Sequence, residues 1–293
     1  MKFILVLALG LFVSFCLSAQ QTRVLIVGDS WAEEQWVDQS HERVFALNGL
    51  GDYGIYGDST TESGSTAYDW KQASYLQRID DALVAHPDID TVQLTVGGND
   101  FLDVWHKDMT EAQFDSLTNA ILFDLNLIID YILGQDSGIE VLLSLYDYPN
   151  FRDTLDGLAG NLFCQPLHSD MGEPTPLELN EAAIALVQSI AGIAATNVRV
   201  HFVDHFGLMQ HSFGFVEDEI PPGAIALPGD PSLPSPVETM RKHDAFGSIE
   251  DDCFHLTADG YDIIVQNLID QYLADRLKGD ALFTDRFEMS DPP

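Results

Sequence analysis

Apolar runs alternate with helical periodicity along most of the chain. Arg23–Val27 (RVLIV) ends in Gly28, and Thr91–Val96 (TVQLTV) ends in Gly97-Gly98. Ile139–Leu145 (IEVLLSL) and Val198–Val203 (VRVHFV) are runs of the same kind, and Tyr53–Tyr56 adds a shorter one. Short continuous apolar runs closed by glycine or turn residues predict strands buried on both faces, as in a parallel sheet. Between them, Phe114, Leu117, Ile121, Leu125, Ile128 and Ile132 recur every three or four residues, which predicts one apolar helix face. Leu177–Ala195 repeats that pattern, and Thr257 is placed to cap a last helix through Leu273, with Ile264, Leu268 and Tyr272 on one side. Strands alternating with helices predict an α/β fold with a parallel sheet covered on both faces. Ligands bind such sheets beyond the carboxyl ends of the strands. That singles out Asp29-Ser30, Asn99-Asp100, Asp147 and Asp204.

Two long stretches, Tyr148–Pro176 and Phe206–Asp251, lack helical periodicity and hold many Gly and Pro residues. Loops of that length in a compact domain read as lids or binding loops. The periodicity fades after Lys278. At the other end, Lys2, the apolar run Phe3–Leu17 and the small Ser18-Ala19 before Gln20 form a signal-peptide pattern, too short and wrongly flanked for a spanning helix. No later stretch reads as long and apolar enough to span a bilayer. The expected organisation is a cleaved leader at 1–19, one domain at 20–278 and a tail at 279–293. The mature protein is expected to be secreted or periplasmic.

Hydrophobic residues make up 46% of the 293 positions and charged ones 20%, so a packed core is available and wholesale disorder is excluded. Thirteen Lys+Arg face 47 Asp+Glu, a formal charge of -34. Such a surface repels phosphate backbones and anionic head groups, which argues against nucleic-acid and anionic-membrane partners. Loss of the leader removes Cys16 and leaves Cys164 and Cys253. An even count in an oxidising compartment favours a Cys164–Cys253 disulfide. The competing arrangement is two buried free thiols.

Ser30 follows the first strand directly, in VLIVGDSW. A serine there is commonly a helix cap, and it becomes a nucleophile only beside a base that a third group orients. Asp252 and His255, three apart in a turn leading into the last helix, can supply both. Asn99, after Gly97-Gly98, can donate an amide N–H to an oxyanion, and Gly64, in Ser63-Gly64-Ser65, can offer a backbone N–H. Each motif alone is weak. In this order they resemble the GDSL/SGNH hydrolase family, over about Arg23 to Leu273. The resemblance implies a three-layer α/β/α flavodoxin-like fold and ester hydrolysis through an acyl-serine. It makes Ser30 the nucleophile, His255 the base and Asp252 its partner. The oxyanion donors it implies are the N–H groups of Ser30 and Gly64 and the Asn99 side chain, with no cofactor and no metal. Trp31 stands where the family name has Leu. A small-molecule, lipid or glycan ester is the expected partner, lipid esters being one candidate class. The alternatives are a carbohydrate O-deacetylase and a catalytically silent glycan- or surface-binding domain.

Other motifs read as structure. A second Gly-Asp-Ser, Gly57-Asp58-Ser59, lacks a strong preceding strand. Gly49–Gly54 fits GxGxxG, but the preceding RVFALN looks helical, so Asn48-Gly49 reads as a helix end. His201 and His205 are four apart on a strand, where they do not share a face as zinc ligands would. Glu217-Asp218-Glu219 reads as a solvated loop.

Overall fold

The computed structural model describes residues 20–155, 162, 164–245 and 248–279. The expected leader at 1–19 lies outside the described residues, as do positions 280–293 of the expected tail. The first apolar run becomes β1 (Gln21–Gly28), followed by α1 (Ser30–Val37), α2 (Ser40–Leu47) and β2 (Tyr53–Tyr56). Then come α3 (Ala67–Trp70), α4 (Ala73–Ala85), β3 (Thr91–Thr95), α5 (Gly98–Leu102) and α6 (Glu111–Gln135). The second half holds β4 (Glu140–Ser144), α7 (Cys164–Asp170), α8 (Pro176–Thr196), β5 (Val200–Val203) and α9 (Leu208–Phe213). It closes with β6 (Met240–Ala245), β7 (Ser248–Leu256) and α10 (Ala258–Leu268), which runs into a π-helical turn at Ile269–Leu273.

β1 to β5 form one parallel sheet in the order β2-β1-β3-β4-β5, the doubly wound flavodoxin-like arrangement that the family resemblance implies. The period of two in β1 divides its side chains between two cores. Leu25 and Val27 join Ile79, Ile121, Leu125 and Ile128 from α4 and α6 on one face. Val24 and Ile26 join Val44, Phe45, Val265 and Leu268 from α2 and α10 on the other. The helices thus form the outer layers of an α/β/α sandwich. Thr110, Thr175 and Thr257 accept from the first turns of α6, α8 and α10 and fix where each helix starts. Among the described helices, α6 and α8 are long and apolar enough by composition to cross a membrane, contrary to the expectation that no later stretch is. Ile128, Ile129, Ile132, Leu186 and Ile190 on these helices pack into the sheet core.

Three further readings need correction. Tyr148–Pro176 contains the helix α7, and Phe206–Asp251 contains α9, a 3₁₀ turn at Val237–Thr239 and most of an antiparallel β6–β7 hairpin. The turn expected at Asp252–His255 lies within β7, where the ladder is interrupted. Lys242 pairs with Asp251 and Met240 with Leu256, so Asp252–His255 bulges out opposite a single residue, Arg241. Cys164 and Cys253 form the expected disulfide, with Cα atoms 6.0 Å apart.

Candidate active site

β1 delivers Ser30 to the sheet's carboxyl edge through a turn that tolerates no side chain at Gly28. A Cβ there would lie 1.9 Å from the Thr95 carbonyl oxygen of the neighbouring strand. Asp29 caps α1, accepting from the Trp31 N–H at 3.0 Å, and also accepts from the Tyr146 hydroxyl. Burial pushes the Asp29 carboxyl up to about 7, against those two hydrogen bonds. Trp31 packs on Tyr146 with ring centroids 4.9 Å apart and meets Tyr261 edge-on at 5.4 Å. The large residue in place of Leu therefore anchors α1 against β4's exit and α10.

The bulge in β7 delivers the other partners. Ser30 Oγ donates to His255 Nε2 at 2.7 Å. His255 Nδ1 donates to Asp252 Oδ2 at 2.7 Å. Asp252 Oδ1 accepts the backbone N–H groups of Phe254 and His255 at 2.7 and 2.8 Å, which shapes the bulge. Burial alone pushes the Asp252 carboxyl up, but the hydrogen bond and charge of His255 and the two backbone donors outweigh it and hold it far below the carboxylate range. Burial pulls His255 down, and Asp252 more than compensates, so the imidazole titrates above its ordinary value. The bulge is tied down on two sides, by the disulfide to α7 and by the Asn150 N–H donating to the Cys253 carbonyl at 2.9 Å.

Asn99 sits in the first turn of α5, just beyond β3, and donates through Nδ2 to the Ser65 carbonyl at 2.9 Å. An amide nitrogen carries two hydrogens, so that bond orients the group and leaves a second N–H for the cleft. Gly64 adopts φ +76°, and a Cβ would meet nothing within 4 Å, so the space over its backbone is open. The Ser30 N–H belongs to the first turn of α1, where no intrahelical acceptor is reached. Ser30, Gly64, Asn99, Asp252 and His255 line one cleft of about 430 Å³. Leu102, Leu167 and Phe254 give it an apolar wall, and Glu34 and Asp103 also border it. The structure thus gathers the five residues that the family resemblance assigns to the site, whereas Asp100, Asp147 and Asp204 do not line this cleft.

It also brings in residues that sequence reasoning did not single out. His243, on β6, reaches Asp252 Oδ2 through Nε2 at 2.7 Å. Tyr146 and Glu34 border the cleft, and Arg241 pairs with Glu34 at 2.9 Å. No local sequence signal marks His243, because its place beside Asp252 depends on the pairing of β6 with β7. Among the described residues, His243, Asp252 and His255 are the group whose donor atoms come close enough for a metal, within 4.8 Å of one another. Those atoms are engaged with one another and with Ser30.

Ser59 lies in a turn, its Oγ 3.3 Å from the Tyr56 hydroxyl. α2 ends at Asn48, and Gly49 takes φ +66°, as expected for a helix end. His201 pairs with Glu140 at 2.8 Å, whereas His205 is buried beside Asn267. Asp147 is buried and accepts the N–H groups of Gly207 and Met209, fixing the start of α9. Asp204 accepts the Phe206 N–H at 3.0 Å, and Glu217–Glu219 are exposed.

Similar arrangements of the chain exist in known proteins. A Streptococcus pneumonia protein named for platelet activating factor superposes with a TM-score of 0.51 at 17% identity, covering 87% of this chain and 86% of its own. A gut microbial diltiazem-metabolizing enzyme gives a TM-score of 0.51 at 12% identity, covering 86% of this chain and 47% of its own. At these identities the likeness is one of fold. No curated protein matches the chain in sequence. The model of the GDSL-like lipase/acylhydrolase family matches residues 26–263, well over half the chain, and the protein belongs to that family of acyl hydrolases.

Proposed function

We propose that the protein is an exported serine esterase that cleaves carboxylic esters through an acyl-serine intermediate. The observation that carries this reading is the continuous hydrogen-bond chain from Ser30 Oγ through His255 to Asp252, with 2.7 Å at each link. His255 Nε2 takes the hydroxyl proton as Ser30 Oγ attacks the ester carbonyl carbon. The N–H groups of Ser30 and Gly64 and the Asn99 amide receive the oxyanion. The tetrahedral intermediate then collapses. His255 gives its proton to the leaving alcohol, and the acyl group stays on Ser30. Water enters, His255 takes one of its protons, and the second collapse frees the acid and restores the Ser30 hydroxyl. Asp252 remains a carboxylate throughout and stabilises the imidazolium.

The cleft supports a neutral ester with a short to medium acyl group. Its size of about 430 Å³ lies in the range of small-ligand sites. Leu102, Leu167 and Phe254 suit an acyl chain, and a chain charge of -34 disfavours anionic alcohols. Export is supported by the leader pattern at 1–19 and by the Cys164–Cys253 bridge. The test is a panel of nitrophenyl esters of increasing acyl length beside acetylated sugars, run on wild type and Ser30→Ala. Turnover of the shorter nitrophenyl esters that vanishes in Ser30→Ala is expected. Activity confined to acetylated sugars would make it a deacetylase, and no turnover of any ester would make it a binding domain. The intact mass of protein recovered outside the cytoplasm should correspond to a chain starting near Gln20; retention of residues 1–19 would overturn export.

A further inference from the structure

We infer that His243 is a positioning residue for the Asp252–His255 pair, holding the same carboxylate oxygen that His255 uses. The inference rests on the serine-esterase reading and adds a residue to that site. Asp252 has four donors. Oδ1 takes the backbone N–H groups of Phe254 and His255, and Oδ2 takes His255 Nδ1 and His243 Nε2, each at 2.7 Å. A carboxylate only accepts, so His243 carries its proton on Nε2.

The position of His243 follows from the hairpin. It stands on β6, opposite Glu250 in β7, while Asp252 lies on the bulge just beyond. The two backbone donors belong to the bulge itself and move with it. His255 moves as well, because it sits at the other end of the same bulge. Within this four-donor set, His243 is the only donor from a different strand. It therefore references the carboxylate to β6 and not merely to its own turn. Its second effect is electrostatic. Two N–H groups divide the charge of one oxygen, which tempers the pull of Asp252 on the His255 proton.

Other charged groups surround the pair. Glu34 and Asp103 border the cleft, Asp29 lies behind Ser30, and Glu250 faces His243 across the hairpin. Lys242 pairs with Asp251 at 2.8 Å, and Arg241 pairs with Glu34 and Asp38. Replacing His243 by a neutral residue changes none of these groups chemically. His243→Leu removes the donor. His243→Gln keeps an amide N–H near the position of Nε2.

The experiment measures kcat, KM and melting temperature for wild type, His243→Leu, His243→Gln and Ser30→Ala on one neutral short-chain ester, by pH-stat across the acid limb. His243→Leu is expected to lower kcat about fivefold, the scale of one net hydrogen bond, with KM within about twofold. Its acid limb should move up by about half a pH unit, because Asp252 then acts on His255 undivided. His243→Gln should restore both. A wild-type kcat and acid limb in His243→Leu would overturn the role. So would a loss of kcat that follows a lowered melting temperature, with the limb unmoved and no rescue by Gln. Turnover surviving in Ser30→Ala would instead overturn the serine reading itself.

Discussion

The two halves of the site are held in place by different physics. Ser30, Gly64 and Asn99 stand at the carboxyl edge of the sheet. β1 and β3 pair along their lengths, and Gly28 is locked to the loop before Gly64 by the Gly28 N–H donating to the Thr60 carbonyl and the Glu62 N–H donating to the Gly28 carbonyl. Asp252, His255 and His243 stand on a two-stranded hairpin outside that sheet. An isolated hairpin is marginally stable in water. This one is fastened by a disulfide to α7, by Asn150 to the Cys253 carbonyl, by Arg241 to α1 and by Thr257 N–H donating to Thr239. The Ser30 side thus comes with the fold, whereas the His255 side depends on local fasteners. Damage to each side should look different.

The largest effect is expected on the sheet side. Ser30→Ala should lower kcat by about 10⁴-fold or more while the melting temperature stays close to wild type, since the fold does not depend on the hydroxyl. Ser59→Ala should keep wild-type turnover, because among the described residues Ser59 Oγ meets only the Tyr56 hydroxyl at hydrogen-bond range. Retained activity in Ser30→Ala with a dead Ser59→Ala would reverse the assignment. Asn99→Ala comes next, with a loss of about 10²–10³ in kcat and a smaller change in KM. A pure KM effect would mean that Asn99 binds substrate and does not stabilise the oxyanion. The substitution also frees the Ser65 carbonyl, which accepts from Asn99 at 2.9 Å. Melting temperature must therefore be measured alongside.

A fastener on the hairpin side should give a mixed signature. The bridge spans a separation of 89 residues. Closing a loop of that size constrains the unfolded chain by about 4–5 kcal/mol in the entropy model, before any relaxation of the native state. Cys164→Ser with Cys253→Ser should lower the melting temperature clearly. It should also lower kcat, because Cys253 lies between Asp252 and His255. A variant of lowered stability with full kcat, assayed well below its melting temperature, would show that the bulge keeps its shape without the bridge. The contrast between the two halves would then fail.

The same contrast explains what could be read from the chain. RVLIV and TVQLTV announced buried strands because both faces of the sheet are covered, so Val24 and Leu25 are both apolar. Ser30 and Asn99 were legible as the polar residues that end those runs. The cysteine count pointed to the bridge. The hairpin was illegible because neither MRKHDA nor SIEDDCFHL has the apolar alternation that marks a strand covering a core. Its ends are buried at Met240 and Leu256, but Ile249 is exposed. Asp252 and His255 were found through their spacing, which a local turn preserves. His243 depends on a cross-strand register, and nothing local encodes it.

The smallest effect concerns pH, and here the two halves oppose the reaction's own demand. In the proposed mechanism only neutral His255 takes the Ser30 proton, and Asp252 holds its titration above the ordinary imidazole value. kcat/KM should therefore rise with pH through that ionisation and fall about tenfold per unit on its acid side. Stability carries the opposite sign. A raised histidine contributes stability below its unfolded value and loses it as pH rises through the folded one. Asp29, pushed up to about 7 by burial, adds to that trend, because the folded state holds a proton that the unfolded chain has released above its ordinary value of 3.8. Asp252 is already ionised in both states at these pH values and contributes no slope. Buried Asp147, likewise pushed up to about 7, acts in the same direction as Asp29. Burial pulls His41 down to about 4 and His205 to about 3, so these two add stability as pH rises toward 6.5 and nothing beyond it. Melting temperature should thus drift down between about pH 6.5 and 8 while the rate climbs. His255→Gln should retain the part of the drift owed to Asp29 and Asp147 and lose the His255 part. A drift unchanged in His255→Gln and reduced only by Asp29→Asn or Asp147→Asn would place the whole effect on the sheet side, leaving the hairpin's charge pair without a measurable share in stability.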